Sequence, residues 1–173
     1  IYVLLVGDSG ATRKSTPLKI SNFLLKRVGN TKIIEGRASI QGVLKELASL
    51  KREGKKQIKD AAAFLYSEEF AAFLVKDPST TGIITDIYDY KATHEVVLKS
   101  EETMKLEHVC ITMLSATNAA FLKDMFTQQD LYGGLVGRTM FIIEEKARHK
   151  DLGFRDSTCD QDWEPLIHHL VKL

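Results

Sequence analysis

The chain has 173 residues, enough for one domain with a sizeable core. Hydrophobic residues make up 44% and charged residues 27%, which excludes a disordered or fibrous chain. Its 24 basic and 23 acidic residues nearly cancel, unlike a protein that grips nucleic acid over its whole surface; any such contact is local or shared between subunits.

Ile1 to Val6 is a continuous apolar run, as expected of a strand covered on both faces. A helix follows from Ser15, with Pro17 tolerated in its first turn, Leu18, Leu24, Leu25 and Val28 as its apolar side, and Gly29-Asn30 as its stop. "KIIEG" from Lys32 reads as a second strand. Ile40, Val43, Leu44, Leu47 and Leu50 then recur at helical spacing behind Ser39, a candidate cap. The basic stretch with Lys51, Arg52, Lys55, Lys56 and Lys59 reads as a solvated connection, with contact to a DNA backbone as the alternative.

"AAAFLYSEEF" is a buried strand ending in carboxylates, "EFAAFLVKD" a helical segment up to Pro78, and "TTGIITDIYDY" another helix. "HEVVLKSEETMKLEH" alternates on either side of Ser100 to Glu102, as a β-hairpin does, although Glu101 and Glu102 at its tip would repel phosphate. "VCITMLSATN" and "RTMFIIEE" are further apolar strands. The tail from Ser157 reads as an amphipathic helix with Trp163, Leu166, Ile167 and Leu170 on one side. Apolar strands alternating with helices predict an α/β sandwich around a mostly parallel sheet, with a core over 1–145 and a helical extension over 146–173.

Cys110 and Cys159 have no metal-ligand spacing around them and read as reduced thiols of a cytoplasmic protein. The five histidines, His94, His108, His149, His168 and His169, have no partner spacing either. No apolar stretch approaches the ~18 residues of a membrane span, so no membrane partner is expected. The opening in mid-strand, without Met, reads as a domain excised from something longer.

"VGDSGATRKSTPLKI" carries the clearest chemical signal. In a phosphate loop, successive backbone N–H groups converge on the phosphates, a helix N-terminus adds partial positive charge, and a Lys reaches the outer phosphates. A hydroxyl next to that Lys can ligate Mg²⁺. Here Lys14 and Ser15 follow a Gly-rich turn, after a strand and before a helix. The cradle would comprise Gly7, Ser9, Gly10, Ala11, Thr12, Arg13, Lys14, Ser15 and Thr16. The match to G-x-x-x-x-G-K-[ST] is imperfect: Arg13 stands where the last Gly is usual, and Gly7 comes one residue early. An extra loop residue, with Gly10 giving the tight turn, accounts for the spacing; a Gly/Ser turn that happens to hold a Lys is the alternative.

Nucleotide hydrolysis also needs an acid for the hydrated metal and another for the attacking water. Glu68 and Glu69 end an apolar strand, where open α/β sheets bind ligands, so Glu68 suits the metal and Glu69 the base. A shifted register makes Ser67 the metal residue and Glu68 the base; alternatively both acids simply open the next helix. Asn118, after Ser115 and Thr117, could orient the lytic water or cap the helix "AAFLKDMF". Arg138 could reach a neighbouring subunit's γ-phosphate or pair with Glu144 or Glu145.

In order, "GDSGATRKST", "FLYSEE", "MLSATN" and "GGLVGR-TMFI" resemble the P-loop, Walker B, sensor and arginine-finger series of AAA+-like ATPases. More narrowly, "IIEGRASIQGVLKELA", "SEEFAAFL" and "TDIYDY" are similar to the P-loop ATPase domain of phage- and plasmid-borne replication proteins of the primase-helicase type. The resemblance runs from Ile1 to about Glu145. It implies a three-layer P-loop NTPase sandwich that hydrolyses ATP with Mg²⁺, assembles into a homo-oligomeric ring through Arg138 in trans, and works on DNA. Ser15 and Glu68 would serve the metal, Glu69 the water, and Asn118 the γ-phosphate. An ATP-binding switch or scaffold that seldom hydrolyses, and a P-loop kinase acting on a small molecule, are the rival readings.

Overall fold

A computed structural model of the chain describes residues 1–10, 12–29, 31–35, 39–49, 51–53, 56–58, 60–71, 79–97, 103–126, 134–145 and 159–172. The elements in chain order are β1 (Tyr2–Val6), α1 (Ser15–Val28), β2 (Ile33–Glu35), α2 (Ile40–Ala48), β3 (Lys51–Glu53), β4 (Lys56–Ile58) and β5 (Asp60–Ser67). There follow α3 (Ser79–Asp86), β6 (Lys91–Val97), β7 (Thr103–Thr117), α4 (Ala119–Met125), α5 (Leu135–Arg138), β8 (Thr139–Ile143) and α6 (Cys159–Val171).

The apolar runs are the strands of one six-stranded sheet, in the order β2-β5-β7-β1-β8, with β6 paired to β7. All pairings on that path are parallel, and β6 is antiparallel. The antiparallel β6 and β7 are the anticipated hairpin; its tip, 98–102, lies outside the described residues. The strand "VCITMLSATN" and the second hairpin arm prove to be one 15-residue strand. Its first half pairs with β6 and its second with β1 along the same edge. At His108, whose φ is 52°, the register with β5 shifts, a bulge that lets the strand serve both neighbours.

The middle of the sheet, β1, β5 and the second half of β7, is covered on both faces, which is why these strands read as nearly unbroken apolar runs rather than alternating ones. On one face Tyr2, Leu4 and Val6 pack with Val43, Leu44 and Leu47 of α2, Ile84 of α3 and Leu135 of α5. On the other, Leu18 of α1 packs on Phe64, Tyr66 and Ala116. Outside α1 lies α6, tied by Arg27 Nη1 to Glu164 Oε1 at 2.7 Å. Of that helix's anticipated apolar side Ile167 is buried, while Leu166 is exposed. The result is a mixed α/β sandwich on a mostly parallel sheet, as the alternation predicts.

Two local signals act as read. Ser39 Oγ accepts from Gly42 N at 3.2 Å and starts α2, and Gly29 closes α1 through its N–H to Leu25 O at 3.1 Å. The basic stretch differs from its reading as a plain connection: Lys51–Glu53 and Lys56–Ile58 form a separate antiparallel pair. Charged residues without period-2 apolar alternation carry no strand signal, and only the backbone pairing of the two arms defines them. No helix among the described residues is long and apolar enough to cross a membrane.

Candidate functional site

Every parallel strand ends at the same edge of the sheet, and the candidate residues gather there because of register. Val6 is level with Thr117, and Ser67 is level with Ser115 and hence with Leu4. Glu68 and Glu69 therefore leave β5 at about the height at which β1 gives way to Gly7. With β7 between them, the two chains are two strand spacings apart, about 10 Å. From β1 the chain crosses to β2 on one side, and from β7 it passes to β8 on the other. Such a reversal is where open α/β sheets leave a ligand crevice beyond their strand ends. Gly7 N donates to Thr117 O at 3.2 Å, closing the floor of that crevice.

Gly7 is buried, and a Cβ there would lie 2.6 Å from Thr12 Oγ1 and 2.8 Å from the Glu144 carbonyl. Only glycine admits so close an approach. Thr12 Oγ1 donates to Asp8 O at 3.1 Å and folds the loop back over its own start, with a turn at Gly10. Arg13 has φ 49°, followed by Lys14 at φ −56° and ψ −25° in the right-handed region. A left-handed residue next to a right-handed one turns successive N–H groups to one side, the geometry of an anion-binding concavity. The position where the motif expects its last glycine is thus one whose conformation favours glycine, and Arg13 occupies it. Thr16 N donates to Arg13 O at 3.0 Å, so α1 begins directly behind the loop. Lys14 is half-buried, Ser15 opens α1, and neither acidic residues nor a side-chain cap occupy that first turn. Ser9 is exposed, and Ala11 lies outside the described residues.

Strand alternation puts Glu68 on the same face as Phe64 and Tyr66, the face that α1 covers. The Tyr66 hydroxyl donates to Glu68 Oε1 at 3.2 Å. Burial, and then the adjacent Glu68 charge, push the Tyr66 phenol up to about 12. Glu69 is exposed, and its N–H is held by Ser67 Oγ at 3.3 Å. Ser67 O in turn accepts from the buried Ser115 Oγ at 2.7 Å, which fixes where β5 stops. Asn118 caps α4: its Oδ1 accepts from Ala120 N at 3.0 Å, realising the alternative role, while its amide N–H groups take no part in that bond.

Arg138 is not at this edge. It precedes Thr139, which is level with Tyr2, so it sits at the start of the parallel strands, roughly 20 Å along them from the loop. Its carboxylate neighbour is Asp89, at 3.4 Å, rather than Glu144 or Glu145. Its Nη1 donates to Gly134 O at 3.2 Å, and its guanidinium lies 5.6 Å from the centroid of the Tyr88 ring. Gly134 has φ 91°, and a Cβ there would meet Arg138 Nη1 at 2.5 Å, so the glycine makes room for the guanidinium.

Reading for motifs missed Tyr66, Tyr88 and Asp89. Tyr66 could have been found, since it stands two residues before Glu68 and so shares its face; Asp89, 49 residues from Arg138, carries no such signal. A scan against protein-family models gives no match, and a search of curated proteins gives none.

Proposed function

We propose that this chain is a nucleotide-hydrolysing domain that uses ATP and Mg²⁺ in the cytoplasm, as part of an oligomer that remodels DNA. The observation that carries the reading is the strand order. The loop strand β1 and the acid strand β5 flank β7, so a glycine-held anion concavity, two carboxylates and Asn118 share one edge of the sheet.

Lys14 and the outward N–H groups of the loop would hold the β- and γ-phosphates, and the start of α1 would add its partial charge. The donors suit Mg²⁺, a hard cation usually held by one or two protein oxygens besides phosphates and waters. Ser15 and Glu68 are such oxygens on the α1 side of the sheet, and the described residues hold no group of three or more His, Cys, Asp or Glu fit for a metal. A divalent cation there neutralises charge on the transferring phosphate. Glu69 would take the proton of the attacking water, and the Asn118 amide would orient that water. Arg138, too far from its own loop, would serve a neighbour. DNA as the object of this work rests on the resemblance to replication ATPases alone.

The test is a titration with Mg-ATP together with phosphate release. Lys14→Ala should weaken binding about 10- to 100-fold, the loss of one charged hydrogen bond. Glu69→Gln should leave binding intact and abolish release. Equal affinity in the parent and Lys14→Ala would overturn the nucleotide assignment. Tight binding with release that ignores Glu69→Gln would favour the ATP-binding switch.

A further inference from the structure

The three edges of the sheet are not alike. On β6, Lys91 and Glu95 interrupt the strand with charge, and at β2 Glu35 is clamped by Lys26 at 2.7 Å. Such charges are the usual protection against strand pairing. By contrast β8 reads Thr-Met-Phe-Ile-Ile without a charge, and it exposes Met140 at 60%, Ile142 at 49% and Ile143 at 64%. No strand among the described residues pairs its outer side.

The free hydrogen-bonding groups of that edge can be named. Glu144 N donates to Val6 O at 3.1 Å, so Glu144, and by alternation Ile142 and Met140, turn their backbone groups toward β1. Phe141 and Ile143 then turn both of theirs outward, and Thr139 its C=O alone, since its N–H donates to Val136 O at the end of α5. The strand is also flanked by Arg138 on one side and Glu144 on the other. Read against itself in the reverse direction about Phe141, the segment is self-complementary: Arg138 meets Glu144, Thr139 meets Ile143, and Met140 meets Ile142.

We infer that the outer edge of β8 pairs with the same edge of a second copy of this chain, antiparallel, about a two-fold axis through Phe141. In this register both backbone groups of Phe141, the C=O of Thr139 and the N–H of Ile143 find partners across the axis, while the N–H of Thr139 stays with Val136 O. A slip by one residue would set outward groups against inward ones. The exposed Met140 and Ile142 cover each other across the axis, and Arg138 faces the partner's Glu144. To face the partner's Glu144, Arg138 gives up its pair with Asp89, whose side chains are 35% and 64% exposed and which contributes little for that reason, together with its contacts to Gly134 O and the Tyr88 ring. Such an isologous contact closes at two copies, and a ring would need a further, head-to-tail contact. One consequence rests on the nucleotide reading above. Because Glu144 adjoins the start of the loop at Gly7, the pairing brings Arg138 of one copy beside the other's loop.

The experiment uses the 173-residue chain with Cys110 and Cys159 replaced by Ser. Met140 and Ile142 would face each other as a non-hydrogen-bonded pair, with Cα atoms about 4.5 Å apart, within disulfide reach. M140C/I142C with added diamide should give a covalent dimer on a non-reducing gel. Light scattering should give twice the chain mass for the parent and a folded monomer, by circular dichroism, for Ile142→Lys. A parent that is monomeric at about 100 μM and does not cross-link overturns the pairing, as does a larger assembly that survives Ile142→Lys. ATP titration of the same samples separates the two proposals: a monomer that binds ATP sinks only the pairing, and a cross-linked dimer that ignores ATP sinks only the nucleotide reading.

Discussion

The Tyr66 hydroxyl donates to Oε1 of Glu68 at 3.2 Å, tying an exposed carboxylate to a ring packed under α1. A flexible acid at a strand end is thereby held on the side of the sheet where Ser15 lies. Tyr66→Phe keeps the ring and removes only the donor. Stability should change by no more than about 1 kcal/mol. The Mg²⁺ concentration that half-saturates phosphate release should rise several-fold, while ATP affinity stays the same. An unchanged Mg²⁺ dependence would show that the hydroxyl has no positioning role.

The same phenol predicts a pH dependence. Folding raises its pKa from 10.0 to about 12, through burial first and then Glu68. The folded state thus binds this proton more tightly than the unfolded state does. The resulting stability is complete below about pH 10 and is lost as pH rises from 10 toward 12. Burial also raises the Tyr2 phenol, strongly, and its hydroxyl donates to Ile84 O at 2.8 Å in the core. Denaturant midpoints measured across this window should fall with pH, and less steeply in Tyr66→Phe than in the parent.

Arg13 holds a left-handed backbone at φ 49°. A residue other than glycine there costs on the order of 1 kcal/mol. Arg13→Gly should therefore raise the melting temperature by about 2 to 4 °C, the shift for 1 kcal/mol in a chain of this size. A lower melting temperature would mean that contacts of the Arg13 side chain outweigh the strain.

Asn118 combines a cap with a proposed role toward the γ-phosphate, and two substitutions separate them. Asn118→Asp retains the oxygen that accepts from Ala120 N and removes the amide donor. It should leave stability unchanged and slow phosphate release roughly 10²-fold, the usual cost of losing one oriented donor. Asn118→Ala should lose about 1 kcal/mol of stability as well. Full-rate release by Asn118→Asp would reduce Asn118 to a cap.

By itself the sequence determined the strands of the large sheet and most helices of this protein, though not the small β3–β4 pair. A strand covered on both faces must be apolar throughout, and the runs at β1, β5 and the second half of β7 follow from that alone, whereas β8 is as apolar yet leaves Met140, Ile142 and Ile143 exposed. It also determined the ends set by local chemistry, such as Ser39 before α2 and Gly29 after α1. The turn before α1 was legible for the same reason, since Gly7, Gly10 and Lys14 lie within eight positions of one another.

Tertiary structure alone decided what depends on residues far apart. That β7 separates β1 from β5, and so sets the carboxylates about two strand spacings from the loop, follows from non-local pairing that no local pattern encodes. The fusion of two expected strands into β7 depends on the bulge at His108, where β6, β5 and β1 make competing demands on one backbone. Arg138 offers the same lesson in part: the extended β8 already sets Glu144 about 20 Å away, but that Asp89, 49 residues distant, is the acid beside it is decided by the fold alone. Sequence specifies which backbone is comfortable and which side chains must leave water; the meeting of distant groups is decided when the sheet closes.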